Sequence, residues 1–237
     1  MIQIRLKSIV LIVSICTIFL SQNSLAQENI ATTRPTLSVG PWVLPEHSFQ
    51  YEQGAQYVDV SGESMAYDAM FRASLSRSTE IRVMVPSLEY KFATFGVKWM
   101  MLQPEGNKPG VGFSVNMGTK VNASDSEQNF QVLGYRVAVN KKLSDNLVGF
   151  VNAGKAGDGY FGDVTLAYGI GDKFTITGEY WHHEYWQQLH TSFMYLINSE
   201  TQVDINGGYL MNAVGDYTIG IGFARRFKYN GPRNDNY

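Results

Sequence analysis

The stretch Tyr217-Thr218-Ile219-Gly220-Ile221-Gly222-Phe223-Ala224 alternates without a break. Tyr217, Ile219, Ile221 and Phe223 fall on one parity, and Thr218, Gly220, Gly222 and Ala224 on the other. A period of two is the mark of an extended strand whose faces meet different surroundings. The same pattern recurs upstream. Val111, Phe113, Val115 and Met117 alternate with Gly112, Ser114, Asn116 and Gly118. Tyr67, Ala69, Phe71, Ala73 and Leu75 alternate with Asp68, Met70, Arg72 and Ser74, and Val203, Ile205, Gly207 and Tyr209 with Gln202, Asp204, Asn206 and Gly208.

Twelve such runs are read: 47–58, 64–76, 79–86, 88–102, 109–119, 129–141, 146–156, 160–170, 173–184, 187–198, 201–212 and 216–227. Turn signals separate them, such as Pro104-Glu105-Gly106-Asn107, Gly157-Asp158-Gly159 and Gly171-Asp172. The apolar parity flips at Pro86, which predicts a bulge or turn there. No helical period of useful length appears, and no nucleotide-binding glycine motif.

The second face decides the class. A soluble sandwich hides its apolar face and covers the outer one with lysine and glutamate. Here the second face is mostly glycine, serine, threonine and asparagine, and only 17% of all residues are charged. The apolar face is rich in tyrosine, phenylalanine and tryptophan. Runs of about 9–12 residues suit tilted strands that cross a bilayer. Lipid offers no hydrogen bonds, so such a sheet must close on itself. The expected fold is all-β: a transmembrane antiparallel β-barrel of about 12 strands, apolar outside and polar within. A soluble exported β-barrel that binds an apolar ligand is the alternative.

The first residues are read as an export signal. Arg5 and Lys7 precede an apolar stretch from Ile9 to Leu20, too short to span a membrane, and Ser24-Leu25-Ala26 suits cleavage before Gln27. The single cysteine, Cys16, lies inside that stretch behind Ile15, where a lipoprotein needs a small residue. The expected divisions are a signal peptide over 1–26, a proline-containing segment over 27–46, the barrel over 47–227 and a tail over 228–237. Net charge is −2, which argues against nucleic acid as a partner.

Thr32-Thr33-Arg34-Pro35, Gly40-Pro41-Trp42-Val43-Leu44-Pro45 and Phe49-Gln50-Tyr51-Glu52 together resemble the opening of a family of bacterial outer-membrane proteins. These are described as transporter-like, or as "MetA-pathway of phenol degradation" proteins. Pro109 to Phe113, Leu143 to Leu147, Asn206 to Tyr209 and the end from Asp216 to Phe227 extend the likeness over most of the chain. Thr33 stands where the family has aspartate and His47 where it often has glycine. A tail follows Phe227, otherwise similar to the terminal aromatic read by the barrel-assembly machinery, and Arg225 occupies an apolar slot. The resemblance implies an outer-membrane barrel of about 12 strands that passes small molecules passively, hydrophobic ones among them.

With the apolar faces outward, the charged residues facing in would be Glu52, Asp68, Arg72, Arg82, Lys98, Arg136, Asp163, Glu179, Asp204 and Arg226. Such a set either guides a solute or forms an internal ion-pair lattice that fills the barrel. Trp181-His182-His183-Glu184-Tyr185-Trp186 is the densest aromatic cluster. Trp181, Tyr185 and Trp186 are expected at a membrane interface as a girdle. His182 and His183 point to opposite faces and cannot share a metal ion without a bulge.

His190 and Ser192 lie two apart on one face. Lipid hydrolases of the outer membrane use a His-x-Ser pair as base and nucleophile, but no orienting acid is evident nearby, and lumen lining is the expected role. Arg34 and three prolines belong to the opening segment. It is expected to sit in the lumen as a plug, with Arg34 meeting Glu52, Asp68 or Glu179; a loose periplasmic extension is the alternative. No catalysis, cofactor or metal is expected. The partners would be the lipid bilayer, the barrel-assembly machinery during insertion, and a small-molecule solute. The function expected is a channel or passive transporter in the cell outer membrane.

Overall fold

The computed structural model describes residues 29–34, 36–59, 63–85, 94–120, 129–211 and 216–229. It is a closed barrel of twelve antiparallel strands: β1 (Ser48–Asp59), β2 (Glu63–Ser76), β3 (Thr79–Val85), β4 (Thr94–Leu102), β5 (Gly110–Lys120), β6 (Asn129–Lys142), β7 (Leu147–Ala156), β8 (Gly159–Ile170), β9 (Phe174–His183), β10 (Gln187–Asn198), β11 (Thr201–Leu210) and β12 (Tyr217–Lys228). Each strand pairs with its sequence neighbours. The seam is closed by β1 on β12, from Ser48 opposite Lys228 to Asp59 opposite Tyr217, with the rings of Phe49 and Phe227 stacked 4.7 Å apart.

The expected class and strand number are borne out. The described part of the expected fourth run is Thr94–Leu102; its first residues lie outside the described ones, as does the parity flip at Pro86. The export signal lies outside them too. Gly106, Gly157 and Gly171 take positive φ at tight turns, the conformation that glycine adopts without steric cost.

The core is inverted relative to a soluble protein. Ile221 is 62% exposed, and Phe71, Val164, Ile205 and Ile219 also stand outward. Buried side chains are mostly polar, Gln50, Glu52, Glu80, Asn152 and Thr165 among the deepest. Strands of ten or more residues rise about 3.3 Å per residue and, tilted by about 45°, cover the ~25 Å apolar band of such barrels. Ile30, Val43 and Leu44 are buried without belonging to any strand.

Candidate functional site

The inward parity of the strands makes a polar lumen, and the chain before β1 is bonded to it. Ile30 N donates to Ser199 O in the β10–β11 turn at 2.8 Å. Thr33 N and Oγ1 both donate to Glu52 Oε2, at 2.9 and 2.8 Å, and Arg34 pairs with Asp68. The chain then reaches the opposite wall. Leu37 N donates to Glu179 Oε2 at 2.9 Å, and Arg136 donates to Leu37 O at 3.0 Å. Asn152 donates to Ser38 Oγ. On the way back, Lys98 donates to the carbonyls of Gly40 and Trp42, and Leu44 N donates to Glu80 at 2.8 Å. Glu46 pairs with Arg77 in the β2–β3 turn.

Two inner-wall glycines receive this segment. A Cβ on Gly112 would stand 2.8 Å from Pro41 Cα and 2.9 Å from its carbonyl oxygen, and one on Gly54 would overlap the Arg34 guanidinium. A methyl group at either place meets the segment itself.

The wall of β1 to β4 is saturated with ion pairs. Arg72 bridges Glu52 and Glu80, 2.9 Å from each, and also donates to Ala31 O at 2.6 Å. Arg82 pairs with the other oxygen of Glu80. Gln50 donates to Glu52 at 2.8 Å and to Ala31 O at 2.9 Å. A charge kept from water is tolerable when it is paired and its remaining lone pairs are bonded, as here. Glu80 escaped the sequence reading, although it shares a parity with Arg82 two residues on.

The wall of β8 to β11 is different. Asp163, Glu179 and Asp204 are 3%, 4% and 7% exposed. Asp163 Oδ2, Glu179 Oε1 and both oxygens of Asp204 have no hydrogen-bond partner. Asp163 Oδ1 accepts from Asn152 at 2.8 Å. Among the described residues no lysine or arginine forms a direct ion pair with these three, but Arg136 acts through space on Asp163 and Glu179 and Arg34 on Asp204, with Ser38 and Asn206 as close neutral neighbours.

Between this wall and the N-terminal segment lies a chamber of about 660 Å³. Thr165, Thr177, Met194, Leu196 and Gln202 face it from the strands, and Phe150 and Trp42, edge to face at 5.6 Å, close one side. Its lining extends to Asp145, Asp172 and Lys173 in the turns at the barrel end where the segment enters.

The remaining candidates are placed as follows. Asp68 is on the inward parity but half exposed. Arg226 faces in and pairs with Glu200 in the β10–β11 turn, and Lys228 reaches the other oxygen of Glu200 at 2.8 Å. Partial burial works against the Glu200 carboxylate, but the bonds from Arg226 and Lys228 outweigh it and hold its pKa below the ordinary glutamate value.

Trp181 is corrected. It was expected at a membrane interface, and it is 5% exposed and faces inward, opposite Asp163 and Gln188. Its ring stacks on Phe161 at 4.5 Å and on Trp186 at 5.6 Å, and the Arg136 guanidinium lies 4.8 Å over Phe161. Glu179, Trp181 and His183 share one parity, so a tryptophan between two inward residues must also turn in. Trp186 joins the same inner stack through His183, 5.7 Å away, while Tyr185 is exposed.

His190 and Ser192 are buried on the inner wall. An acid does lie close to them, contrary to expectation: Glu179 is opposite His190, with 3.8 Å between Oε2 and Nδ1. The pair is not arranged for nucleophilic attack. His190 Nε2 meets Asn206 Oδ1 at 3.4 Å, and the Ser192 hydroxyl bonds to Thr177.

No protein-family model matches the chain, and no curated protein matches it in sequence. Solved structures do match in fold. The KdgM porin is similar over 75% of this chain and 99% of its own, with a TM-score of 0.55 and 12% identity. The COG4313 outer membrane channel from Pseudomonas putida F1 is similar over 79% and 98%, with a TM-score of 0.55 and 10% identity. The NanC porin is similar over 74% and 98%, with a TM-score of 0.54 and 12% identity. The fold is therefore that of outer-membrane barrels.

Proposed function

We propose that this chain is a passive channel of the outer membrane, exported by residues 1–26 and inserted by the barrel-assembly machinery, and that residues 27–46 lodge in its lumen as a plug. The carrying observation is the chamber of about 660 Å³ enclosed between a polar inner wall and the N-terminal segment. Its size falls within the range of small-molecule sites. Its lining mixes threonine hydroxyls with Phe150, Met194 and Leu196, which suits a small solute with an apolar part. The resemblance of the opening motifs to the transporter-like outer-membrane family agrees with this reading. Glu52, Arg72, Lys98 and Glu179 then bond to the plug directly, Arg34 fastens it to Asp68, Arg82 acts through Glu80, and Asp163, His190 and Asp204 lie buried on the inner wall of β8 to β11. Arg136 touches both, through Leu37 and through the aromatic stack.

The test is conductance in a planar bilayer, after the purified protein has shown heat-modifiable migration on a gel. Deleting Asn29–Glu46 should raise single-channel conductance while the barrel still assembles. An assembled deletion variant with unchanged conductance would refute the plug, and solubility without detergent would refute the membrane barrel.

A further inference from the structure

β12 carries one charged residue on its lipid-facing parity. Tyr217, Ile219, Ile221, Phe223 and Phe227 point outward, and Arg225 stands exposed in the same file. It faces Tyr51 across the seam on β1 and Thr201 on β11. An arginine on the lipid side of a barrel is costly near mid-membrane and tolerated at the interface. Its stem must therefore carry the head toward polar surroundings. The guanidinium lies 5.3 Å over the Phe227 ring, one outward position nearer the strand end. Phe227 stacks on Phe49 at 4.7 Å, and His47 meets Tyr229 edge to face just beyond. Rings so placed make a belt at headgroup level.

That head has no counter-charge. Among the described residues Arg225 makes no hydrogen bond and no ion pair, so its five N–H donors are unused. Glu200, next in the chain to Thr201, is taken by other cations. Arg226 holds one of its oxygens and Lys228 the other, at 2.8 Å. Glu46 is paired with Arg77. Arg225, Arg226 and Lys228 against Glu200 leave this end of the seam with surplus positive charge. The strand connections here are short, two residues at β2–β3 and β10–β11 and seven at the longest, whereas two at the other end reach eight. Short turns mark the periplasmic side of such barrels, where the leaflet is glycerophospholipid.

We infer that Arg225 heads a docking site for an anionic phospholipid of the periplasmic leaflet, with the phosphate on its guanidinium at the level of the Phe49–Phe227 belt and the chains against Phe223 and Ile221. The inference rests on the membrane-barrel reading but not on the plug or the channel. A guanidinium meets a phosphate through two parallel N–H···O bonds, and the fork is free here. The surplus charge adds attraction for an anionic headgroup over a neutral one.

The probe is dioleoylphosphatidylglycerol, titrated into the full-length protein in detergent and counted by native mass spectrometry. Dioleoylglycerol, which has the same chains and no phosphate, is the comparison. The phospholipid should be retained about tenfold more tightly than the diacylglycerol, and Arg225→Leu should remove most of that margin. Leucine suits an outward slot, and assembly is checked by heat-modifiable migration. Arg225→Gln is the second variant, should the first fail to assemble. Arg77→Gln, at the same barrel end but paired with Glu46, should leave retention unchanged. Displacement of the lipid by millimolar inorganic phosphate would assign the site to free phosphate and overturn the lipid. Equal retention of the two probes would overturn the site. So would a detergent-dependent, heat-modifiable barrel that keeps the full margin in both Arg225 variants, and that result would leave the membrane reading standing.

Discussion

The two sides of the lumen hold similar residues and treat them in opposite ways. Along β1 to β4, Glu52 and Glu80 are surrounded by Arg72, Arg82, Gln50 and the amides of the N-terminal segment. Along β8 to β11, Asp163, Glu179 and Asp204 keep free oxygens one inward position from residues that line a chamber. Parity puts both sets inside the barrel. The path of residues 29–46 decides which set becomes scaffold, because the segment fills one side and leaves room on the other. The inner wall of a barrel is thus no single environment, and charge content alone does not tell a lattice from a passage.

Removing the centre of the lattice should cost most. Arg72→Met leaves Glu52 and Glu80 buried with fewer partners and should destabilise the barrel by about 3–5 kcal/mol, read as a lower urea midpoint for loss of heat-modifiable migration. A loss under about 1 kcal/mol would mean that the saturated side is no more structural than the other. Gly112→Val comes next. Its side chain meets the Pro41 backbone, and the overpacking should cost about 1–3 kcal/mol and raise conductance as the segment shifts. Thr165→Val, at a hydroxyl with no partner on the chamber side, should do neither.

Asp204→Asn should cost far less. Its buried carboxylate lies beside Asn206 and feels the Arg34 guanidinium, and the neutral isostere should change stability by no more than about 1 kcal/mol in the same urea assay. A large loss would show that Asp204 is paired in solution. The smallest effect belongs to the rim. Glu200 is held below its ordinary pKa by Arg226 and Lys228, so its contribution is present at neutral pH and fades as pH falls through that lowered value. The pair is part-exposed, and the effect should stay under about 1 kcal/mol. Wild type and Glu200→Gln should therefore differ slightly in urea midpoint at pH 7 and converge in strong acid.

Much of this was legible from alternation. Ile219, Ile221 and Phe223 against Gly220, Gly222 and Ala224 suffice to tell the lipid side from the lumen, because each strand residue has only two directions to choose from. The same rule contains Trp181 and Glu80. Trp181 was lost to composition, since a cluster of rings near a strand end looks like an interfacial girdle. The pairing of Arg34 with Asp68 was among the choices, but the choice depends on how far the segment climbs. The chamber has no periodic signature. It exists because Thr33 meets one wall and Leu37 the other, contacts that no local pattern encodes.

The bond from Leu37 to Glu179 joins residues 142 positions apart, and the segment that makes it precedes every strand. Its anchors on β1, β3, β4, β6, β7 and β9 lie on both sides of the ring. Such distant pairings are slow to find, because the chain entropy of a long loop is lost before the contact forms. The segment's bonds tie together strands that do not neighbour one another in the ring, so its docking and the closure of the β1–β12 seam stabilise the same arrangement. The chain before the first strand thus works as a strut laid across the ring, one that only the finished circle of strands can hold at both ends.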